Sequence, residues 1–344
     1  MAGKPPIKVI KEPKPLYSGS NSATPLKLKK AIDTIADKDL ELFVGIRSVA
    51  VDKKGNFYIY DYKHGKIIKL NAAFDYVSSW GRKGEGPGDF KALGPTFDFI
   101  SIGLDNRVYF VDIMKKKIMK YTLEGNFIDE HRFEQSKPFK VAVDEHGDLY
   151  LPSMGDFYID VHDNQMKFKK SLLAEFEETY LFFNPPPCAI THDQVKSFLN
   201  LPYDILSDGN IVVLNQTDIS IMVIDRKKGT IQKMFHAWDD YILAEYKKKL
   251  SYNYDLIGKD KITCSQARAF STLFLDNCPN IYLSFVDSHG ETYIYQFSVD
   301  GKLVEVYHVI QPELDDYFLF FHFNDNNFYA YGRYGIYIFG CANN

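Results

Sequence analysis

Side chains able to do chemistry are spread thinly along this chain. Its nine histidines form no His-Glu-x-x-His or comparable unit that would set two imidazoles on one helix face for zinc. No Gly-x-Ser-x-Gly elbow presents a serine nucleophile. The four cysteines, Cys188, Cys264, Cys278 and Cys341, make no Cys-x-x-Cys pair, so neither zinc nor thioredoxin-type chemistry follows. Four are also too few for a disulfide scaffold of this size. Buried or idle thiols are expected, and a Cys264–Cys278 bridge would rest on parity alone. His64, His289 and His322 read as solvated or core histidines. Carboxylates are plentiful, yet no spacing marks the acid and base of a glycosidase. No catalytic residue, metal ligand or cofactor is assigned.

The stretch Gly81-Arg82-Lys83-Gly84-Glu85-Gly86-Pro87-Gly88-Asp89-Phe90 invites a phosphate-loop reading and fails it. A P-loop needs Gly-x-x-x-x-Gly-Lys-Ser/Thr between a strand and a helix, whereas Pro87 and Asp89-Phe90 continue in a β context. The structural alternative is a crossover between two sheets. Its glycines permit the turns, Phe90 plugs a core, and Arg82, Lys83 and Glu85 face solvent.

The elements that must position these residues come from a repeat. A turn followed by an apolar strand recurs: Asp52-Lys53-Lys54-Gly55-Asn56-Phe57-Tyr58, Asp144-Glu145-His146-Gly147-Asp148-Leu149-Tyr150 and Ser207-Asp208-Gly209-Asn210-Ile211-Val212. Weaker copies begin at Asp105, Asn277 and Asp325. Asp, Gly and Asn tolerate the backbone of tight hairpin turns. A third strand follows, as in Lys66–Leu70, and then a second turn and a fourth strand, as in Asp300-Gly301-Lys302-Leu303-Val304. Four short antiparallel strands recurring at propeller-like spacing make one blade each.

The fold expected is therefore all-β, a six-bladed β-propeller with four-stranded antiparallel blades. Blades are placed at about 45–80, 96–133, 138–173, 200–236, 268–309 and 316–340. The last lacks a fourth strand, and an open blade would leave a pairing edge and an unlocked ring. An N-terminal strand at about 26–35 is expected to close it, with Ile7–Ile10 as the other segment considered. Residues 1–24 read as an extended segment and 25–344 as the propeller, interrupted by insertions at 174–199 and 237–262. The second insertion carries Ile242, Leu243, Tyr246 and Leu250 on one helical face. That face suits a surface helix packed on a blade or, alternatively, a partner-binding helix.

An enzyme of this architecture could hold calcium on the axis, which needs six to eight oxygen ligands. Counting back from each turn, the innermost strands offer Arg47, Asp98, Phe139, Leu201, Ser271 and Leu319, or two residues later Val49, Ile100, Val141, Tyr203, Leu273 and Phe321. Neither set is a convergent oxygen cluster, and no metal is expected.

Composition agrees with a packed β protein: 45% hydrophobic and 15% aromatic residues favour half-buried strand surfaces. The net charge of −4 is not the basic footprint of a nucleic-acid binder. No run of about 18 apolar residues forms a membrane span, and Met1–Pro6 show no apolar core of a signal peptide.

The block Trp80–Phe90, with Val51–Asp61 before it, resembles the first blade of bacterial six-bladed, NHL-repeat-like propeller proteins. Lys14-Pro15-Leu16-Tyr17 resembles the lead-in of exported members. The resemblance implies six blades, frequent export or lipoprotein anchoring, and a binding role. The function expected is a non-enzymatic binding or scaffold module presenting one face to a protein, peptide or glycan. The alternative is a propeller hydrolase or lactonase acting on a small ester, lactone or glycan. Because strands alternate direction, crossovers and second-to-third-strand loops emerge on one side. That side should carry the candidate ligand-binding residues Arg47, Asp61, His64, Arg82, Lys83, Glu85, Arg268 and Arg333.

Overall fold

The structure, a computed structural model, describes residues 8–9, 23–37, 40–90, 99–133, 140–152, 159–172, 203–215, 220–237, 241–242, 244–245, 248, 270–276, 280–310, 312, 316 and 318–341. The repeats fold as six four-stranded antiparallel blades. Blade 1 comprises Ile46–Val51, Phe57–Asp61, Lys66–Leu70 and Tyr76–Trp80. Blade 2 comprises Phe99–Ile102, Val108–Asp112, Lys117–Tyr121 and Phe127–Arg132. Blade 3 comprises Ala142–Val143, Leu149–Pro152, Ile159–His162 and Phe168–Leu172. Blade 4 comprises Tyr203–Ile205, Ile211–Asn215, Ser220–Asp225 and Thr230–His236. Blade 5 comprises Phe270–Leu275, Asn280–Val286, Thr292–Ser298 and Leu303–Val309. Blade 6 comprises Leu319–Asn324, Asn327–Tyr331, Ile336–Cys341 and, from the N-terminal region, Thr24–Ile32.

Each innermost strand neighbours those of the blades before and after it, and the sixth meets the first. Apolar side chains fill the wedge between every pair of adjacent blades, giving a separate core cluster at each of the six junctions. A strand covered on both faces reads as an unbroken apolar run. Accordingly, Phe57–Asp61 and Val108–Asp112 are buried at every position. Between blades 1 and 2, Phe90 is fully buried against Phe110, with ring centroids 4.5 Å apart, as its plug role requires.

The closing strand pairs antiparallel with Ile336–Cys341, from Leu26 opposite Cys341 to Ile32 opposite Ile336. Its first residues also run parallel to Tyr307–Val309, joining blades 5 and 6 into one sheet. The chain then leaves the blade, and Thr34–Asp37 pairs with Leu40–Leu42. Within Ile7–Ile10, Lys8–Val9 lies parallel to the outer strand of blade 4, opposite Lys233 and Met234.

The repeated aspartate works as a turn clamp. Asp52 Oδ1 accepts from Lys54 N and Asn56 N at 2.8 and 3.0 Å, while Oδ2 accepts from Tyr58 Oη at 3.0 Å. Asp144 and Asp276 receive Tyr150 and Tyr282 in the same way, at 3.1 and 3.0 Å. The tyrosine thus ties the turn to the strand that follows it, and burial beside the carboxylate pushes the Tyr58 and Tyr150 hydroxyls well above their ordinary range.

Residues 241, 242, 244, 245 and 248 of the second insertion are helical. Ile242 is buried, and Glu245 Oε2 accepts from Ser288 N at 2.8 Å, which docks the helix on blade 5. The 174–199 insertion, Cys188, Cys264 and Cys278 lie outside the described residues. Cys341 is unbridged and half-buried.

Candidate binding site at the junction of blades 6 and 1

The site is assembled by one buried carboxylate. Asp61 ends the second strand of blade 1 with no exposed surface. Its Oδ2 accepts from Val44 N and Gly45 N at 2.9 and 3.3 Å, and its Oδ1 from Lys63 N and His64 N at 3.0 and 3.2 Å. These bonds hold the segment entering blade 1 against the loop Tyr62–Gly65. His64 Nδ1 sits 3.1 Å from Asp61 Oδ2 without making a hydrogen bond. Gly45 is required by close approach, since a Cβ there would fall 2.4 Å from Tyr62 Cε1.

Two residues on, the ladder of blade 1 is irregular between Ile46 and Ser48. A bulge of this kind re-aims the extra side chain, and here it carries Arg47. The guanidinium lies over the Tyr62 ring, 4.8 Å from its centroid, and Lys63 Nζ lies 5.3 Å from the same centroid. Arg47 Nε is buried and has no hydrogen-bond partner. Among the described residues no carboxylate pairs with Arg47. Blade 6 borders this point directly: Ile46 N donates to Arg333 O at 3.0 Å. The Arg333 guanidinium is exposed and sits 5.2 Å from the Tyr334 centroid, and Asp316 holds the loop by accepting from Arg333 N and Tyr334 N. Lys83 crosses above Gly65 and donates to Lys63 O at 3.1 Å.

The expected residues therefore fall into two groups. Arg47, Asp61, His64, Lys83 and Arg333 meet at the junction of blades 6 and 1. Arg82 and Glu85 belong to the crossover toward blade 2. Arg82 is solvent-facing and engaged, its Nε 2.6 Å from Asp89 Oδ1; this bond holds the Asp89 carboxyl below its usual range. Glu85 is exposed, with Lys115 Nζ 3.7 Å away. Arg268, Asp98, Phe139 and Leu201 lie outside the described residues.

Some partners of these residues escaped the sequence reading. Lys115 is nearly buried and donates to Gly84 O and Asp89 O, pinning the glycine-rich crossover to blade 2. Gly88 N donates to Glu130 Oε2 at 3.0 Å, and Glu130 also pairs with Lys117. The sequence signal was present as the run Lys115–Lys117 opposite Glu130, but it only acquires meaning once the strands are paired.

Nearer the axis, each of three innermost strands bonds to a neighbouring blade. Ile100 N donates to Ser48 Oγ at 3.1 Å, Ser101 Oγ to Val141 O at 2.7 Å, and Tyr203 Oη to Tyr150 O at 3.1 Å. Lys140 pairs with Asp204 at 2.6 Å. Burial lowers His322 to about 4, so it stays neutral near pH 7. Among the described residues no group of three or more His, Cys, Asp or Glu could hold a metal ion.

A family model described as a 6-bladed β-propeller matches residues 38–205. No curated protein matches the chain in sequence. A Bacteroides fragilis protein named as belonging to the exported class is similar in structure, with 16% identity, a TM-score of 0.55, and coverage of 98% of this chain and 100% of its own. Virginiamycin B lyase from Staphylococcus aureus shares 13% identity with a TM-score of 0.53, covering 92% of this chain and 100% of its own. A streptogramin B lyase shares 11% identity with a TM-score of 0.51, covering 92% of this chain and 97% of its own. At such identities the likeness is one of fold, and fold alone does not carry function. Blade number, closure and the match over residues 38–205 agree, and the chain folds as a six-bladed β-propeller.

Proposed function

We propose that this protein is a binding module that engages a polypeptide partner through the crossover side at blades 6 and 1. The observation that carries this reading is that apolar anchors and cations without an ion-pair partner among the described residues occur together on the crossover side. The crossover side exposes Leu42, Met114 and Tyr334 among its loops, beside the cations Arg47, Lys63 and Arg333. Tyr, Met and Arg are the residue types enriched at protein interfaces, and anchors of this kind carry most of the binding energy. A rigid scaffold displaying loops is also the common setting for recognition. Export is supported by the name of one similar structure and by the lead-in at Lys14–Tyr17. Among the described residues no helix is long and apolar enough to cross a membrane.

The test is a charge reversal that spares the fold. The variant Arg47→Glu, Lys63→Glu, Arg333→Glu is compared with the intact chain for capture of whichever partner the intact chain retains. Capture should be lost while unfolding of the variant stays cooperative, and for the exposed Arg333→Glu alone Tm should stay within about 2 °C, as expected for a surface change. Retained capture by the folded variant would move the partner to the other side or to the insertions at 174–199 and 237–262. The single exposed change Arg333→Glu, expected to weaken capture only in part, keeps the test open if the triple variant unfolds.

A further inference from the structure

From the geometry at Arg47, we infer that the junction of blades 6 and 1 is a carboxylate-binding subsite for an acidic side chain of a partner polypeptide. The inference rests on the binding role proposed above and names the group that the site takes. An arginine has five N–H donors in a fixed planar fork. Among the described residues none of the Arg47 donors has an acceptor, and one of them, Nε–H, is buried. A buried donor without a partner is costly, of the order of 1–3 kcal/mol. A buried group left unsatisfied in a native fold calls for a functional explanation, and here it belongs to a side chain whose remaining donors are available to a ligand.

The surroundings select the ligand. The Arg47 guanidinium lies over the Tyr62 ring, 4.8 Å from its centroid, so the aromatic ring occupies one side of the cation and an anion must approach from another. A planar edge presenting parallel N–H donors matches a carboxylate in two-point contact. Lys63 lies over the same ring, and Arg333 is joined to the strand of Arg47 through its own carbonyl. Arg47 and Lys63 thus share one ring, and the backbone of Arg333 borders them. The carboxylate built into the site, Asp61, accepts four backbone N–H bonds and lies fully buried. It organises the loops and makes no hydrogen bond or ion pair with Arg47. The neighbouring exposed Leu42 and Tyr334 favour a polypeptide over a polyanionic sugar, because they add apolar surface that an interface core would cover.

The experiment observes Arg47 directly in the full chain. With only seven arginines in the protein, selective 15N-arginine labelling yields few Nε–H signals. The Arg47 signal is assigned by its absence in Arg47→Lys. A tetraglutamate peptide is titrated at low ionic strength, with tri-galacturonate and inorganic phosphate as separate probes at matched concentration. The peptide should shift the Arg47 signal in a saturable way. Its Kd should rise about tenfold or more in Arg47→Ala, and nearly as much in Arg47→Lys, which keeps the charge and lacks the fork. Peptide binding that leaves the Arg47 signal unmoved would overturn the inference while leaving the binding role intact. A stronger response to galacturonate or phosphate would replace the polypeptide carboxylate with that ligand. No binding of any probe would also overturn the inference, whereas the binding role itself fails only in the charge-reversal test.

Discussion

The two sides of the disc are built by the same strands and end differently. On the side of the tight turns, polar groups are consumed internally. Asp52, Asp144 and Asp276 each accept from their own turn and from a tyrosine of the next strand. Adjacent blades are then tied together there: Lys69 Nζ donates to Leu123 O at 2.8 Å, and Arg226 of blade 4 reaches Asp144 and Glu145 of blade 3, both at 2.7 Å. On the crossover side, Asp61 is equally saturated, but the cations it organises are not. Arg47 is stacked and unbonded, and Arg333 is exposed. One side thus spends its charged groups on holding blades together, and on the other Arg47 and Arg333 have no ion-pair partner among the described residues.

The comparison presupposes a closed ring, so the largest effect should come from opening it. Removing residues 1–32 deletes the outer strand of blade 6 together with Leu26 and Ile32, both buried in inter-blade cores. It also exposes the edge of Ile336–Cys341 to pairing with other chains. Such a chain should fail to fold or lose on the order of 10 °C or more in Tm. A truncated chain melting with the intact one would mean that the six junctions hold without the closing strand. The two sides could not then be treated as faces of one locked body.

A smaller and one-sided effect is expected at Arg226. Its side chain is nearly buried, and Asp144 beneath it is more so. Removing one partner of a buried ion pair leaves an uncompensated charge, which costs about 3–5 kcal/mol. Arg226→Ala should lower urea stability by about that much with little change in the slope. Acid gives a second measure. The Arg226 hydrogen bond lowers Glu145 from 4.5 to about 2. A carboxyl lowered on folding contributes stability above its unfolded value and loses it as pH falls through the folded one. The gap between the intact chain and Arg226→Ala should therefore narrow as pH drops from about 5 toward 2. A gap independent of pH would show that Glu145 adds nothing to the lock.

How much of this was legible depended on the distance over which each residue acts. The turn clamps act within six residues, so Asp-x-x-Gly-Asn-x-Tyr declared itself, as did Phe90 within its glycine-rich crossover. The missing strand of blade 6 was legible because a blade is a unit with a known strand number. Arg47 does lie in the innermost strand, Ile46–Val51, but a count along that strand fixes the direction of a side chain only if the ladder is regular. The bulge between Ile46 and Ser48 breaks that count, as do those between Phe270 and Thr272 and between Phe320 and His322. Arg82 looked free because Asp89 becomes its partner only when the crossover folds back. Arg226, which reaches 82 residues to Asp144, had no local signal at all. Partner choice between groups far apart in sequence is set by the packed ring, and short-range pattern does not encode it.

The smallest expected effect on stability is at Arg47, and its sign is what sharpens the comparison. If Arg47 belonged to the fold as Arg226 does, truncation would cost several kcal/mol. The geometry argues otherwise. Replacement by Met keeps much of the aliphatic stem against Tyr62 and removes the buried, unpartnered Nε–H, whose desolvation the folded state bears without return. The lost contact is the stacking of the guanidinium on the ring, worth about 0.5–1 kcal/mol at exposed sites and more when desolvated. The two terms oppose each other and are of similar size. Arg47→Met should therefore melt within about 1 kcal/mol of the intact chain, measured by urea unfolding at neutral pH and again at 0.5 M salt. Added salt should narrow the remaining difference in favour of the intact chain, because screening relieves the mutual repulsion of Arg47, Lys63 and Arg333 that the substitution removes. A loss of about 3 kcal/mol or more would instead make Arg47 a member of the blade 6–blade 1 lock. The contrast between a saturated side and an open one would then disappear at the residue on which it most depends.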